Sequence, residues 1–162
     1  TRLVHFAQGY GAVYVTLPEP NHPRHDLLTD TRAVPIYVPD AANGMSASIK
    51  RACAAVSETS AKGMMILTGD LPDLTEKHFA QICAKWAKDE TRYVQAKDQD
   101  GKPGHPVIIP KSSWDDIETL QGDIGLRNIL RKKRIEYVSY KDYGPTLDLD
   151  TPEAWDAWRA AR

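Results

Sequence analysis

The chain reads as an α/β fold, a mainly parallel, Rossmann-like sheet with helices on both faces in a three-layer α/β/α sandwich. Two observations predict it. Short apolar runs rich in branched and aromatic residues alternate along the chain with segments of 3.6-residue period. One such run, Met64-Met65-Ile66-Leu67-Thr68-Gly69-Asp70-Leu71-Pro72, ends in a carboxylate followed at once by a proline turn. That pattern delivers a negative charge to the rim of a sheet, where α/β proteins hold their ligands. A length of 162 residues fits a single domain able to bury about two-thirds of its unfolded surface without disulfide or metal staples.

Taken in order, Arg2 to Gln8 look like the last turns of a helix stopped by Gly9 and Gly11. Strands are predicted at 12–17 and 34–38. Between them, residues 18–26 carry three prolines and little to bury, which makes a surface loop. A helix over 46–57 places Ile49, Ala52, Cys53 and Val56 on one face, and a second over 75–88 does the same with Phe79, Ile82, Cys83 and Trp86. Strand 64–68 lies between these helices. Strands 92–97 and 106–110 are joined by a hairpin-like connection at 98–105. A helix over 113–120 opens on Ser113 as N-cap with Asp116 at its third position, and another over 124–132 carries Leu126, Ile129 and Leu130. A strand at 135–140 and a short one at 146–149 follow. The last helix starts from Thr151 as N-cap with Pro152 in first position and Glu153 at the positive dipole end, and it buries Trp155 and Trp158.

A net charge of −1 with 27% charged residues leaves no overall basic field to gather nucleic acid or anionic lipid. No apolar stretch approaches a membrane span, and the opening residues do not resemble a signal peptide. Cys53 and Cys83 fall on helix faces and read as buried thiols of a reducing compartment, the cytoplasm. His22 and His25 sit in the proline-rich loop and read as solvated. The run Arg131-Lys132-Lys133-Arg134 reads as the charged end of a helix.

The chemistry concentrates on carboxylates. Asp70 at a strand end is a candidate ligand for a magnesium ion, which needs one or two carboxylates beside substrate phosphates; the alternative is that it caps its own turn, and the strand-end placement and the second acidic motif favour the metal role. Asp148 and Asp150, one residue apart, point to the same face of an extended segment, a costly pairing unless a cation or donors neutralise it. Alternatively Asp150 belongs to the capping region of the last helix, and Asp148 is the better ligand. Gly44 to Ser48 turn into a helix whose free amides could hold an anion or a base edge, with Ser46 serving otherwise as an ordinary N-cap. Asp123 and Arg127 form a local pair, and the planar fork of Arg127 suits phosphate oxygens.

Five motifs occur in order: Gly44-Met45-Ser46-Ala47-Ser48-Ile49, Leu67-Thr68-Gly69-Asp70-Leu71-Pro72, Gly104-His105-Pro106-Val107, Leu120-Gln121-Gly122-Asp123-Ile124-Gly125-Leu126-Arg127, and Asp148-Leu149-Asp150-Thr151-Pro152-Glu153. Together they resemble the nucleotidyltransferases of molybdenum cofactor maturation, the MobA-like group with its molybdopterin cytidylyltransferase-like branch. The resemblance implies a GT-A-like fold and magnesium-dependent transfer of CMP from CTP to a molybdopterin-type phosphate, with release of pyrophosphate. It implies Asp70, Asp148 and Asp150 as metal ligands, Asp70 and His105 as catalytic residues, and Gly44, Ser46, Ser48, Gly69 and Arg127 as nucleotide contacts. It further implies a molybdoenzyme or its chaperone as recipient of the product. The family's N-terminal glycine-rich triphosphate loop has no counterpart in the sequence, so residues 1–11 are expected to follow that loop in a longer chain. Other readings are a guanylyltransferase, transfer to another phosphorylated acceptor, or a non-catalytic relative that binds nucleotide or a partner.

Overall fold

A computed structural model describes residues 1–161, the side chain of Ile124 excepted. Helix α1 (Arg2–Gln8) leads to strand β1 (Tyr14–Leu17), which pairs in parallel with β2 (Val34–Tyr37). Helix α2 (Met45–Ser57), strand β3 (Gly63–Ile66), helix α3 (Glu76–Trp86) and strands β4 (Tyr93–Lys97) and β5 (Pro103–Pro110) follow. A short α4 (Arg127–Leu130), strand β6 (Ile135–Ser139) and α5 (Pro152–Ala160) complete the fold. The larger sheet has the order β3-β5-β4-β6. β4 and β6 pair in parallel, and β5 runs antiparallel to both β3 and β4. Thus β3, β4 and β6 share one direction, and their carboxyl ends open on the same rim.

Helices cover both faces because the strand residues alternate. Val107 and Ile109 of β5 pack with Met64 and Tyr93 under Ile49, Cys53 and Val56 of α2. Ile108 faces the other way and joins Val94, Ala96 and Tyr140 under Ile82 of α3. This is the α/β/α layering expected from the sequence. A third cluster, Leu71, Leu74 and Phe79, binds the turn after β3 to Leu3, Phe6 and Ala7 of α1. Glycine is required at the foot of β3: a Cβ at Gly63 would meet Trp86 Cζ2 at 2.4 Å.

Several expectations are corrected. The segment expected as a helix from Ser113 is a 3-10 helix, Lys111–Thr119, entered directly from β5 with Pro110 at its N-cap position. Its buried residues Trp114 and Ile117, continued by Leu120, recur every third position, the period of that tighter helix. The helix expected over 124–132 contracts to α4, and Lys133 beyond it forms an ion pair with Asp116 at 2.6 Å instead of standing free in solvent. Residues 146–149 form no strand; Thr146 and Leu147 both bond back to the Tyr143 carbonyl, which curls the segment into a turn. Trp155 and Trp158 are half-buried, their indole N–H groups donating to the Leu149 carbonyl and to Asp73. Thr151 caps α5 as expected, accepting from the Ala154 amide at 3.2 Å. No helix among the described residues is long and apolar enough to cross a membrane.

Candidate active site at the carboxyl rim

Three segments meet where β3 ends. The first is the turn from Ile66 to Pro72, the second is the start of β5 at Gly104 to Pro106, and the third is the return from Gly144 to Asp150. Each is tied to the next by backbone. The Leu149 amide donates to the Asp70 carbonyl at 3.1 Å, and the His105 amide donates to the Pro145 carbonyl at 2.8 Å. Glycine is needed at position 104, because a Cβ there would sit 2.1 Å from the Pro145 carbonyl oxygen. The Gln95 side-chain amide donates to the Gly104 carbonyl at 3.1 Å and fixes the same segment from β4.

Asp70 lies in this junction half-buried, with its Oδ1 atom buried and without a hydrogen-bond partner. A carboxylate oxygen taken out of water without a donor is costly and therefore calls for an explanation. Turn capping does not supply one for Oδ1. His105 is likewise half-buried, and its Nδ1–H donates to the Ile66 carbonyl at 3.2 Å, since a carbonyl can only accept. That bond places the proton on Nδ1 and leaves the Nε2 lone pair free. Burial pushes the imidazole below its usual pKa, opposed by the Ile66 carbonyl and the negative charges of Asp70 and Asp148. Those two carboxylates are the charges that reach His105.

Asp148 and Asp150 are exposed on either side of buried Leu149, which sets both on the solvent side of the segment. Among the described residues, no group of three or more His, Cys, Asp or Glu side chains is arranged to hold a metal ion. The clasp of three carboxylates is accordingly not assembled by the side chains alone. An orphaned Asp70 oxygen with Asp148 nearby suits an ion that takes one or two protein carboxylates and completes its shell from water and phosphate.

The second group of candidates gathers at the start of α2. Gly44 adopts φ +98°, and a Cβ there would lie 2.5 Å from Asp123 Oδ1 and 2.6 Å from the Gly122 carbonyl carbon. The turn holding Asp123 is thus pressed against the helix terminus, and Asp123 Oδ1 accepts from the Met45 amide at 3.2 Å. This corrects two expectations. Gly44, not Ser46, occupies the N-cap position, and Asp123 caps α2 instead of pairing with Arg127. One of the amides expected to be free for an anion is already engaged. Ser46 is buried and Ser48 half-buried within the first turns of α2, while Arg127 is exposed at the start of α4 with no ion pair among the described residues. Gly69 precedes Asp70 in open space, where a Cβ would touch nothing.

The sequence reading missed His78. Buried at the start of α3, its Nδ1 accepts from the Thr75 amide at 2.9 Å, and its Nε2 faces Asp142 at 3.0 Å. The spacing Thr75-x-x-His78 matches a capping box with histidine in place of the usual glutamate, and that was the available signal. The Asp142 contact spans 64 positions and left no local trace.

Comparison with known proteins places these elements in context. The MobA-like NTP transferase domain matches residues 2–138. Purine catabolism protein PucB of Bacillus subtilis (strain 168) is 27% identical over 125 residues, and the chain spans 59% of the length of that relative and is itself covered to 75%. The crystal structure of Rv0371c from Mycobacterium tuberculosis superposes with a TM-score of 0.77 at 21% identity, covering 97% of this chain and 79% of that one. The same protein in complex with manganese gives 0.76 at 20% identity, with 98% and 83% covered. Molybdopterin-guanine dinucleotide biosynthesis protein A from Archaeoglobus fulgidus gives 0.68 at 15% identity, with 98% and 84% covered. At such identities the structural likeness establishes a common fold.

Proposed function

The chain belongs to the MobA-like NTP transferase family, and on that premise we propose that it carries out divalent-metal-dependent nucleotidyl transfer at the rim formed by Asp70, His105 and Asp148. The observation that carries the reading is the buried, unpartnered Oδ1 of Asp70 at the rim where the Leu149 amide ties the return segment to the Asp70 carbonyl. Asp70 and Asp148 would hold the ion, with Asp150 as a further carboxylate at its edge. Magnesium is the physiological candidate, and the manganese complex of the Rv0371c relative supports a divalent ion in this fold. Bound there, the ion would neutralise charge on the reacting phosphates and hold them for in-line displacement.

The chain's own groups supply the rest. His105, held with Nδ1 protonated and Nε2 free, accepts the proton of an acceptor phosphate. The freed oxygen forms a bond to the α-phosphorus of the triphosphate, the bond from α-phosphorus to the bridging oxygen breaks, and pyrophosphate leaves. Depression of the His105 pKa by burial keeps Nε2 unprotonated near neutrality. Gly44, Ser46, Ser48 and Gly69 would approach the nucleotide through backbone and hydroxyl groups, and Arg127 its phosphates.

The preferred substrates are CTP and a molybdopterin-type phosphate, with a molybdoenzyme or its chaperone as recipient in a reducing cytoplasm. The name of the Archaeoglobus fulgidus relative specifies a guanine dinucleotide, which favours GTP as the second reading. Incubation with Mg2+, molybdopterin and each nucleoside triphosphate in turn separates them by pyrophosphate release. Release with CTP alone supports cytidylyl transfer, release with GTP alone supports the second reading, and none with any triphosphate defeats the enzyme assignment.

A further inference from the structure

His78 is a buried polar side chain outside the site with a partner on each ring nitrogen, and no step of the proposed reaction uses it. Its Nδ1 accepts from both the amide and the hydroxyl of Thr75, at 2.9 and 2.7 Å, so Nδ1 carries no proton. The proton therefore sits on Nε2, which donates to the Asp142 carboxylate at 3.0 and 3.2 Å. Tyr140 packs on the imidazole with ring centroids 4.5 Å apart and donates its hydroxyl proton to the His78 carbonyl at 2.7 Å. One imidazole thus fastens the segment leaving β6 to the start of α3.

Asp142 passes the constraint onward. Its Oδ1 accepts from the Gly144 amide at 2.9 Å, and its carbonyl accepts from the Gln99 amide at 3.1 Å. Gly144 lies so close to the Asp73 carbonyl that a Cβ would approach it to 2.9 Å. From there Thr146 donates to Asp98 at 2.6 Å, and the Leu149 amide reaches the Asp70 carbonyl. Asp148 lies between those last two anchors. A buried side chain on a helix of one layer therefore determines where the return segment begins, and the return segment carries the second proposed ligand.

Resting on the reading of Asp70 and Asp148 as metal ligands, we infer that His78 and Asp142 are positioning residues that set Asp148 against Asp70 for the divalent ion. Groups that orient metal ligands typically contribute roughly tenfold or more to metal affinity. Asp142 is the better test position, because its side chain is 54% exposed while that of His78 is 5% exposed. Replacing Asp142 leaves the buried imidazole in place and removes the acceptor it donates to.

The experiment titrates Mn2+ into the chain and into Asp142→Ala and Asp142→Asn, reading free Mn2+ by electron paramagnetic resonance and folding by thermal unfolding. Asp142→Ala is expected to weaken Mn2+ binding by roughly tenfold. Asp142→Asn keeps an oxygen acceptor for Nε2–H and is expected to restore most of it. Nitrogen-15 spectra of His78 should show the Nε2-protonated tautomer in the unsubstituted chain and lose that signature's hydrogen-bond shift in Asp142→Ala. Equal Mn2+ affinity in all three proteins overturns this inference while leaving the metal reading intact. Absence of Mn2+ binding by the unsubstituted chain removes both. A fall in affinity that Asp142→Asn does not recover overturns the role of the Nε2–H bond.

Discussion

Asp70→Asn separates the metal role of this side chain from a structural one with a single isosteric change. Asp70 Oδ1 is buried and accepts no hydrogen bond, and leaving a buried polar group unsatisfied costs about 1–3 kcal/mol, more when it is charged. The amide keeps the shape and remains polar but removes the charge, so the metal-free variant should gain about 1 kcal/mol. For a domain of this size that is a rise in Tm of about 2–4 °C. In the unsubstituted protein, Mn2+ at a hundred times its Kd adds about 2.7 kcal/mol to the folded state, which corresponds to about 5–10 °C. Asp70→Asn should lose nearly all of that second increment. Differential scanning calorimetry with EDTA and with a Mn2+ series gives both numbers. A variant less stable without metal, or one that Mn2+ stabilises as strongly as the unsubstituted chain, would refute the reasoning.

Gly44→Ala forces a side chain into the φ +98° conformation and into the backbone of Gly122; a loss of about 2 kcal/mol, hence about 4–8 °C in Tm, is expected by thermal unfolding. His105 has its pKa lowered in the folded state, so the unfolded chain takes up a proton first as pH falls through about 6.5. The stability tied to its neutral form is complete above that pH and is lost on acidification, and denaturant titrations from pH 7 to 5 should show a shallower decline in His105→Gln. Cys83 has its thiol pushed up to about 11 by burial, so about one thiol in a thousand is ionised at pH 8. Its alkylation by iodoacetamide should accordingly be slow in the native protein and accelerate on unfolding.

Periodicity made most of the scaffold legible. Val56 and Phe79 lie on the predicted buried faces of α2 and α3, and the apolar runs other than 146–149 matched β1 to β6 to within a few residues. The 3-10 helix at Lys111–Thr119 escaped because Trp114, Ile117 and Leu120 also satisfy the i, i+3 part of an α-helical stripe. Within the site, Asp70 was visible because a strand-end carboxylate before Pro72 is a local pattern. Its orphaned oxygen was not, since only the folded surroundings show that no donor comes near. The capping of Met45 by Asp123 spans 78 positions, and the joining of His78 to Asp142 spans 64. Sequence spacing marks which residues can do chemistry; the chain's return past Asp70 decides which of them meet.

On the proposed reading, Asp70 and Asp148 share one divalent ion. Anomalous diffraction from crystals soaked with Mn2+ and a nucleoside triphosphate tests it most directly. A single manganese peak within bonding distance of Asp70 Oδ1 and an Asp148 oxygen, with triphosphate oxygens completing the shell, is the predicted result. Manganese bound away from Asp70, or an Asp70 Oδ1 still without a partner when nucleotide and metal are bound, would contradict it.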